Sequence, residues 1–422
     1  AMRSWVQPFF YYVGLLPLRV LEVNDPFIWA TWVRIMSSLL GWLGVVGLAL
    51  CVKVWIKDRL WQKAAVVVLA LTWYLPAFHA RHSSENFSGT LFTLGVVLFT
   101  LGQGIRKDFR LGFAVGLLLG FAVDTRIQAA PIMVLGFLSW VLVIEKRGFK
   151  DTTSLFVGGL TAFLIGVLVD RWGYGYWTFS PYNYYVYSIV EGKIDLGGTS
   201  PWWDYFRRIW TESWPVLAPI YFFGMIGAWV RFPRNLFTWC YAPLLLFNIL
   251  IPHKETRFLF PMAHAAPLLL VMALQSKNKL WKKPWRRLLV GILGALNVVA
   301  LLILMFVPAS MPTRFYDYVY HQEISEIYFM GRDPYVQLGI PLYFYRPEGL
   351  VTKRAESVDA LKRMMEDGLL LFHTSRTLPS PELQKICTPE FSIYPEWLRS
   401  WNPGGFMRNA NDWSLFSCRR EG

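Results

Sequence analysis

The chain has 422 residues, 55% hydrophobic and only 17% charged, below the roughly one quarter usual in a soluble domain, so bilayer rather than water is its expected solvent. The net charge of +14 would suggest nucleic acid in a soluble protein. Here most of the excess lies in short joints between apolar runs, so membrane topology accounts for it and nucleic-acid binding is set aside.

In chain order, the sequence opens Ala1-Met2-Arg3-Ser4-Trp5 without a signal peptide or a complete first span, and we expect that it starts partway through the natural protein. Pro8 to Val23 is apolar but interrupted by Arg19 and Glu22, the pattern of an interfacial helix on the outer side. Apolar runs follow at 35–56, 64–78, 88–103, 111–123, 127–144, 154–169, 215–230, 235–252, 258–275 and 288–307. They predict about ten spans, and since several fall short of the ~20 residues a perpendicular crossing needs, flanking residues must help or some spans are broken or re-entrant. The runs are continuous rather than alternating, and a backbone in lipid must satisfy itself, so the spans are expected to be helices.

Basic residues crowd alternate joints: Lys53, Lys57, Arg59 and Lys63; Arg106, Lys107 and Arg110; Lys146, Arg147 and Lys150; Arg231 and Arg234; Lys277, Lys279, Lys282, Lys283, Arg286 and Arg287. The intervening joints carry fewer over more chain: Arg81; Arg126; Arg171, Lys193, Arg207 and Arg208; Lys254 and Arg257. The positive-inside rule places the first set in the cytoplasm and the second in the periplasm or the endoplasmic reticulum lumen. The expected architecture is an all-α multi-pass membrane domain over residues 1–310, then a small extracytoplasmic α/β domain over 311–422. In that tail Leu342–Tyr345 and Leu369–Phe372 read as strands. Between them Ser357 caps a helix carrying Val358, Leu361, Met364 and Met365, with Gly368 ending it. Cys51 and Cys240 lie in apolar runs as packing residues, whereas Cys387 and Cys418 in an exported tail could pair or stay free. No Cys-x-x-Cys or His-x-x-x-His spacing suggests a metal.

The unusual residues sit in the outer joints. His253-Lys254-Glu255-Thr256-Arg257 puts four ionisable groups between two apolar runs, a costly arrangement unless they are used or paired. It reads either as a self-paired, snorkelling cap or as a cationic site for a phosphate leaving group, with Glu255 orienting Lys254 or Arg257. Asp170 opens the longest outer loop, 170–214, whose rings include Tyr174 and Trp202. These rings are partly an interfacial belt and partly candidates to stack on sugar faces. Asp170 either pairs with Arg171 or orients substrate. Glu85 either binds a sugar hydroxyl or caps a helix, and the adjoining sequon Asn86-Phe87-Ser88 abuts a span and carries little weight. In Asp124-Thr125-Arg126-Ile127-Gln128, Arg126 either neighbours a lipid phosphate or bridges to Asp124. His79, His264, His321 and His373 are read as structural.

Sidedness narrows the donor. Nucleotide sugars are cytosolic, and the sequence has no Asp-x-Asp motif on an outer loop and no Rossmann-type glycine loop. A transferase working on the outer face needs a donor that crosses membranes, such as a polyprenyl-phosphate sugar.

From His253 to Pro261 the chain resembles glycosyltransferase family 22, the dolichyl-phosphate-mannose-dependent α-mannosyltransferases of N-glycan-precursor and GPI-anchor assembly. It matches that family's His-Lys-Glu-x-Arg-Phe-Leu-x-Pro stretch at every fixed position. Arg3-Ser4 is similar to its Ala-Arg-Ser segment, Ser84-Glu85 to its Ser-Glu pair, and Asn183-Tyr184 with Pro201-Trp202-Trp203-x-Tyr205 to its aromatic luminal loop. Asp170 with Tyr174-Gly175 is similar to its Asp-Ser-x-x-Tyr-Gly motif, with Arg171 in place of Ser. The likeness covers roughly residues 1–310. It implies a GT-C fold and transfer of mannose, by inversion and without a metal or other cofactor, from a polyprenyl- or dolichyl-phosphate donor to a lipid-linked glycan. It further implies His253, Lys254, Arg257 and Arg126 at the donor phosphate, with Glu255, Asp170, Glu85, Tyr174 and Trp202 orienting or binding sugar. The family's catalytic base is an acidic residue ahead of the Ala-Arg-Ser segment, which no residue of this sequence matches. The alternatives are a GT-C transferase for another polyprenyl-phosphate sugar and a lipid or solute transporter. A transporter should show mid-span charges and internal repeats, whereas the charges here stand at span ends. A bacterial inner membrane and the endoplasmic reticulum suit this topology equally.

Overall fold

The computed structural model describes residues 3–102, 108–193, 198–275, 283–306, 312–322, 324–337, 340–364, 370–374, 385–402, 405, 407 and 412–418. Arg106, Lys107, Lys277, Lys279, Lys282, Met365 and Gly368, used above, lie outside these. The chain forms two compact units: Ala1–Val23 with Ala30–Val307, and Asn24–Trp29 with Pro308–Gly422.

In the first unit every apolar run carries helix, in some runs interrupted by a few non-helical residues. The helices are α1 (Val6–Val20), α2 (Pro26–Trp55), α3 (Arg59–Leu71), α4 (Leu75–His79), α5 (Ser84–Leu101), α6 (Phe109–Thr125), α7 (Ala130–Val143) and α8 (Phe149–Tyr174). Then come α9 (Ser180–Tyr185), α10 (Asp204–Thr211), α11 (Leu217–Arg231), α12 (Leu236–Leu250), α13 (Phe260–Ala263), α14 (Ala266–Gln275) and α15 (Pro284–Phe306). Short polar side chains start several of them. Asp58 accepts from the Leu60 and Trp61 N–H groups, Asp108 from those of Arg110 and Leu111, Ser83 from Asn86 and Asn235 from Phe237, each satisfying donors that a helix start leaves open.

Among the described residues three helices are long and apolar enough to cross a membrane: Pro26–Trp55, Thr152–Tyr174 and Pro284–Phe306. A fourth candidate is a broken span, Thr256–Ala263 with Ala266–Gln275, bent by 64°. Ala130–Val143, Leu217–Arg231 and Leu236–Leu250 are apolar but shorter.

The 64–78 run is also broken, between α3 and α4. Asn297 of α15 supplies the missing partners. Its amide donates to the Leu71 carbonyl at 2.6 Å and accepts from the Trp73 N–H at 3.3 Å and the Tyr221 hydroxyl at 3.0 Å. A lone amide on an apolar helix thus pins two neighbours where unsatisfied backbone would be costly.

α6 and α8 approach through glycine. A Cβ on Gly116 would lie 2.0 Å from the Leu155 carbonyl oxygen, and one on Gly158 2.1 Å from that of Phe113. Gly112, Gly116 and Gly120 recur every fourth residue and present one small-residue face. This contact matters for the site, because Asp124 and Arg126 end α6 and Asp170 lies in the last turns of α8.

The second unit carries a five-stranded sheet, β1 (Glu326–Phe329), β4 (Val351–Arg354), β5 (Leu370–Thr374), β6 (Cys387–Ser392) and β7 (Ser414–Cys418), in the order β4-β1-β5-β7-β6. β1 runs parallel to β4 and β5, whereas β7 is antiparallel to β5 and β6. The tiny hairpin β2 (Val336–Gln337) and β3 (Ile340–Pro341) stands apart. Cys387 and Cys418 are partners across β6 and β7 and form a disulfide. The register shifts between Pro389 and Phe391, where proline can donate no ladder bond.

Ser357 does start a helix, Val358–Met364, accepting from the Ala360 N–H at 3.1 Å. The strand expected over Leu342–Tyr345 does not form. That stretch is irregular and turns at Phe344–Tyr345, and the Tyr345 ring stacks on Tyr316 at 6.0 Å. Consecutive aromatics here serve a ring cluster, not a pleat.

Candidate functional site

Three stretches far apart in sequence meet at the start of α5, the end of α6 and the segment after α12. Glu85, in the first turn of α5, is buried, and its Oε1 lies 2.9 Å from Arg126 Nη2 and 3.5 Å from Arg257 Nε. Arg257 also pairs with Glu255, whose Oε1 is 2.8 Å from His253 Nε2. The result is a continuous chain, Arg126–Glu85–Arg257–Glu255–His253, of three bases on two carboxylates. Glu85 is therefore more than a helix cap, and Arg126 pairs with it rather than with Asp124.

Arg126 is buried with its guanidinium 5.4 Å from the Phe258 ring centre. Burial pulls its pKa down, Glu85 and Tyr184 pull it up, and the charges of Arg3 and Arg257 pull it down again. Burial also works to raise the Glu255 carboxyl, but Arg257 and His253 outweigh it and hold it below the usual carboxylate range. His253 Nδ1 lies 3.1 Å from the Gly198 carbonyl. Both ring partners of His253 are acceptors.

Lys254 departs from expectation. It is 2% exposed, and its ammonium donates to the carbonyls of Ile249 at 3.1 Å and Ile251 at 2.5 Å, over the Tyr205 ring at 5.8 Å. These carbonyls belong to the end of α12, where a cation meets unpaired acceptors and the negative end of the helix dipole. Lys254 thus turns inward, away from the Glu255–Arg257 pair, and burial lowers its pKa.

The 170–214 loop packs on this segment. Ser200 N–H donates to the Pro252 carbonyl at 2.9 Å, and Thr256 bonds to Glu212. On α10, buried Asp204 accepts from Arg207 at 2.7 Å and Arg208 at 2.6 Å. Burial works to raise that carboxyl, but the two guanidiniums hold it at about 2. Trp202 is 64% exposed and Tyr205 fully buried, so these neighbouring rings have different tasks.

Asp170 is buried and does not pair with Arg171, which bonds to the Gly175 carbonyl instead. Its carboxylate accepts from the Ser4 hydroxyl at 2.9 Å, the Trp5 N–H at 2.6 Å and the Ser180 hydroxyl at 2.5 Å. The Tyr174 hydroxyl donates to the Arg3 carbonyl at 2.6 Å. Asn86 is 1% exposed, with its amide on the Arg81 carbonyl, so this sequon asparagine faces inward.

Two adjoining clefts, both shallow, meet at Arg126 and Gln128. The first is also lined by Glu85, Asn248 and Phe258, the second by Arg3, Ser4, Asp124 and Tyr184. Asn248 was not singled out as a site residue from sequence. It is an isolated polar residue in an apolar run, and only the packing of α12 reveals what it faces.

Known proteins bear on the fold first. ArnT from Cupriavidus metallidurans, solved bound to undecaprenyl phosphate, superposes over 98% of this chain and 88% of its own with a TM-score of 0.53, at 12% identity. The chain therefore shares the fold of that protein, a likeness of fold alone. Family assignment is more specific: the chain belongs to the Alg9-like mannosyltransferase family, whose model matches residues 1–346. Mannosyltransferase APTG1 of Arabidopsis thaliana is 24% identical over 268 residues, 62% of this chain and 47% of that protein. The GPI alpha-1,2-mannosyltransferase 3 of Bos taurus is 29% identical over 128 residues, 30% of this chain and 23% of that protein. The chain thus spans less than half the length of these two relatives.

Proposed function

We propose that this protein is a membrane-embedded glycosyltransferase that moves mannose from a polyprenyl- or dolichyl-phosphate donor to a hydroxyl of a lipid-linked glycan. The observation that carries the reading is the Arg126–Glu85–Arg257–Glu255–His253 chain at the edge of a cleft. Two carboxylates fix three bases in advance, so positive charge is already in place when the sugar–oxygen bond breaks and charge grows on the phosphate. Arg257, about half exposed, makes the direct contact with His253 beside it, while Arg126 supplies field from below. Lys254 braces the segment from within rather than touching the phosphate.

In this scheme a carboxylate takes the proton of the acceptor hydroxyl, which attacks the anomeric carbon in line with the departing phosphate. A β-linked donor then yields an α-mannoside. The shorter helices cross the membrane as tilted or broken spans, about ten in all. The basic joints face the cytoplasm, and the cluster and the disulfide-bearing second unit face the other side, where disulfides persist.

The test is transfer from radiolabelled polyprenyl-phosphate-mannose by the complete protein in proteoliposomes. Wild type is expected to transfer, and Arg257→Ala to lose about 100-fold or more in rate. Undiminished transfer by Arg257→Ala, or transfer from a nucleotide sugar instead, would count against the reading.

A further inference from the structure

The resemblance to known sequences leaves Asp170 as a substrate-orienting residue, yet its carboxylate is committed to the chain's own Ser4, Trp5 and Ser180. A buried carboxylate must find donors, and here two of its three come from the short stretch preceding α1. Tyr174, one turn further along α8, grips the Arg3 carbonyl. Trp5 seals the joint: a Cβ on Gly173 would lie 2.3 Å from its ring. α8 therefore holds the backbone that directly follows the Arg3 side chain, at the Arg3 carbonyl and at Ser4 and Trp5. A helix cap alone would need only the bond to the Trp5 N–H, so the hold on residues 3 and 4 has another purpose.

What it places is a guanidinium. Arg3 is exposed and lines the second cleft with Arg126, and its charge is among those acting on Arg126, as is that of Arg257. Three arginines thus converge from three parts of the chain. One carboxylate lines that cleft with Arg3 and Arg126: Asp124, more than nine-tenths buried, whose Oδ2 lies beside Gly166 of α8 and has no hydrogen-bond partner among the described residues. A cleft with guanidiniums at the rim and a carboxylate acceptor inside suits a ligand that carries hydroxyls beside its anion.

We propose that Arg3 is a third anion-binding guanidinium of this site, that Asp170 is the positioning residue which aims it, and that the second cleft takes the sugar-phosphate part of the donor. This rests on the donor reading above. The phosphate then lies between Arg3 and Arg257, with Arg126 beneath it, and a sugar hydroxyl donates to Asp124.

The experiment measures binding of polyprenyl-phosphate-mannose to the complete protein in nanodiscs. Arg3→Ala should weaken binding about tenfold, the effect of losing one charge-assisted hydrogen bond at a wet rim, and Arg3→Lys should recover part of it. Asp170→Ala should weaken binding similarly, and combining it with Arg3→Ala should add nothing further, a result that a merely structural aspartate would not give. Lys193→Ala, on the same outer loop, serves as the charge control and should bind like wild type. Mannose 1-phosphate should displace the donor at lower concentration than inorganic phosphate, and equal displacement would overturn the sugar part of the proposal. If Arg257→Ala loses binding while Arg3→Ala keeps it, Arg3 is no ligand and the donor reading survives. If neither loses binding, the donor reading falls and this inference with it. Arg3 is exposed, so its variants test the idea even where Asp170→Ala fails to fold.

Discussion

At the scale of single residues, Glu85 organises the site. A buried carboxylate shared by two guanidiniums is costly to assemble and costlier to break, because removing one partner leaves charge without compensation. Lys254 and Arg257 stand three residues apart and divide the labour: one faces inward to α12, the other outward to the cleft. Lys254→Met should therefore lower the thermal midpoint in detergent, by the ~1–3 kcal/mol of unsatisfied buried acceptors, while leaving donor affinity of the folded fraction in place. The reverse pattern, normal stability with lost affinity, would return Lys254 to the phosphate. Asp204 supplies a pH test. Its folded pKa is depressed to about 2, so its contribution to stability is present above the ordinary carboxyl pKa and is lost as pH falls. The gap in thermal midpoint between wild type and Asp204→Asn should hold from neutral pH to about 4 and shrink as pH falls toward 2. A gap that is unchanged at the acid end would refute this. The charge density of residues 253–257 is legible in the sequence, because so many ionisable groups between apolar runs demand a use. Which way Lys254 turns is not, since its partners are carbonyls at a helix end whose position depends on where α12 stops.

At the scale of elements, the glycine contact between α6 and α8 sets the site's floor, carrying Asp124 and Arg126 on one helix and Asp170 on the other. Gly116→Val should cost about 2–3 kcal/mol or more through overpacking against the Leu155 carbonyl, read as a lowered thermal midpoint, and weaken donor binding as well. Gly291→Ala, on α15 with open space around it, should be neutral or mildly stabilising. Equal effects of the two substitutions would show that the close approach is not what matters. The helices themselves were legible, because lipid leaves a continuous apolar run few other choices. That some runs could be broken was legible from their length, but where they break was not. The interruption after Leu71 depends on Asn297, a residue over two hundred positions away, and no local pattern around Thr72 and Trp73 announces it.

At the scale of the whole molecule, the two units were legible to different degrees. The first follows from hydropathy and charge alternation, a signal repeated at every joint. In the second, Leu370–Thr374 and the Ser357 helix start follow from local pattern, but β1, β4, β6 and β7 did not. These strands carry polar and charged residues such as Glu326, Lys353 and Glu390, and their pairing depends on long-range partners, including the Cys387–Cys418 bridge. Tyr345 shows the converse error, a run of aromatics that feeds a ring cluster. The two remaining cysteines, Cys51 and Cys240, are buried, so a new surface thiol can be read against a quiet background.

That background permits the most direct measurement: Arg257→Cys in sealed vesicles, probed with a membrane-impermeant thiol reagent supplied on one side or the other. We expect modification only from the extracytoplasmic side. Modification only from the cytosolic side would contradict a phosphate site at this cluster on the outer face.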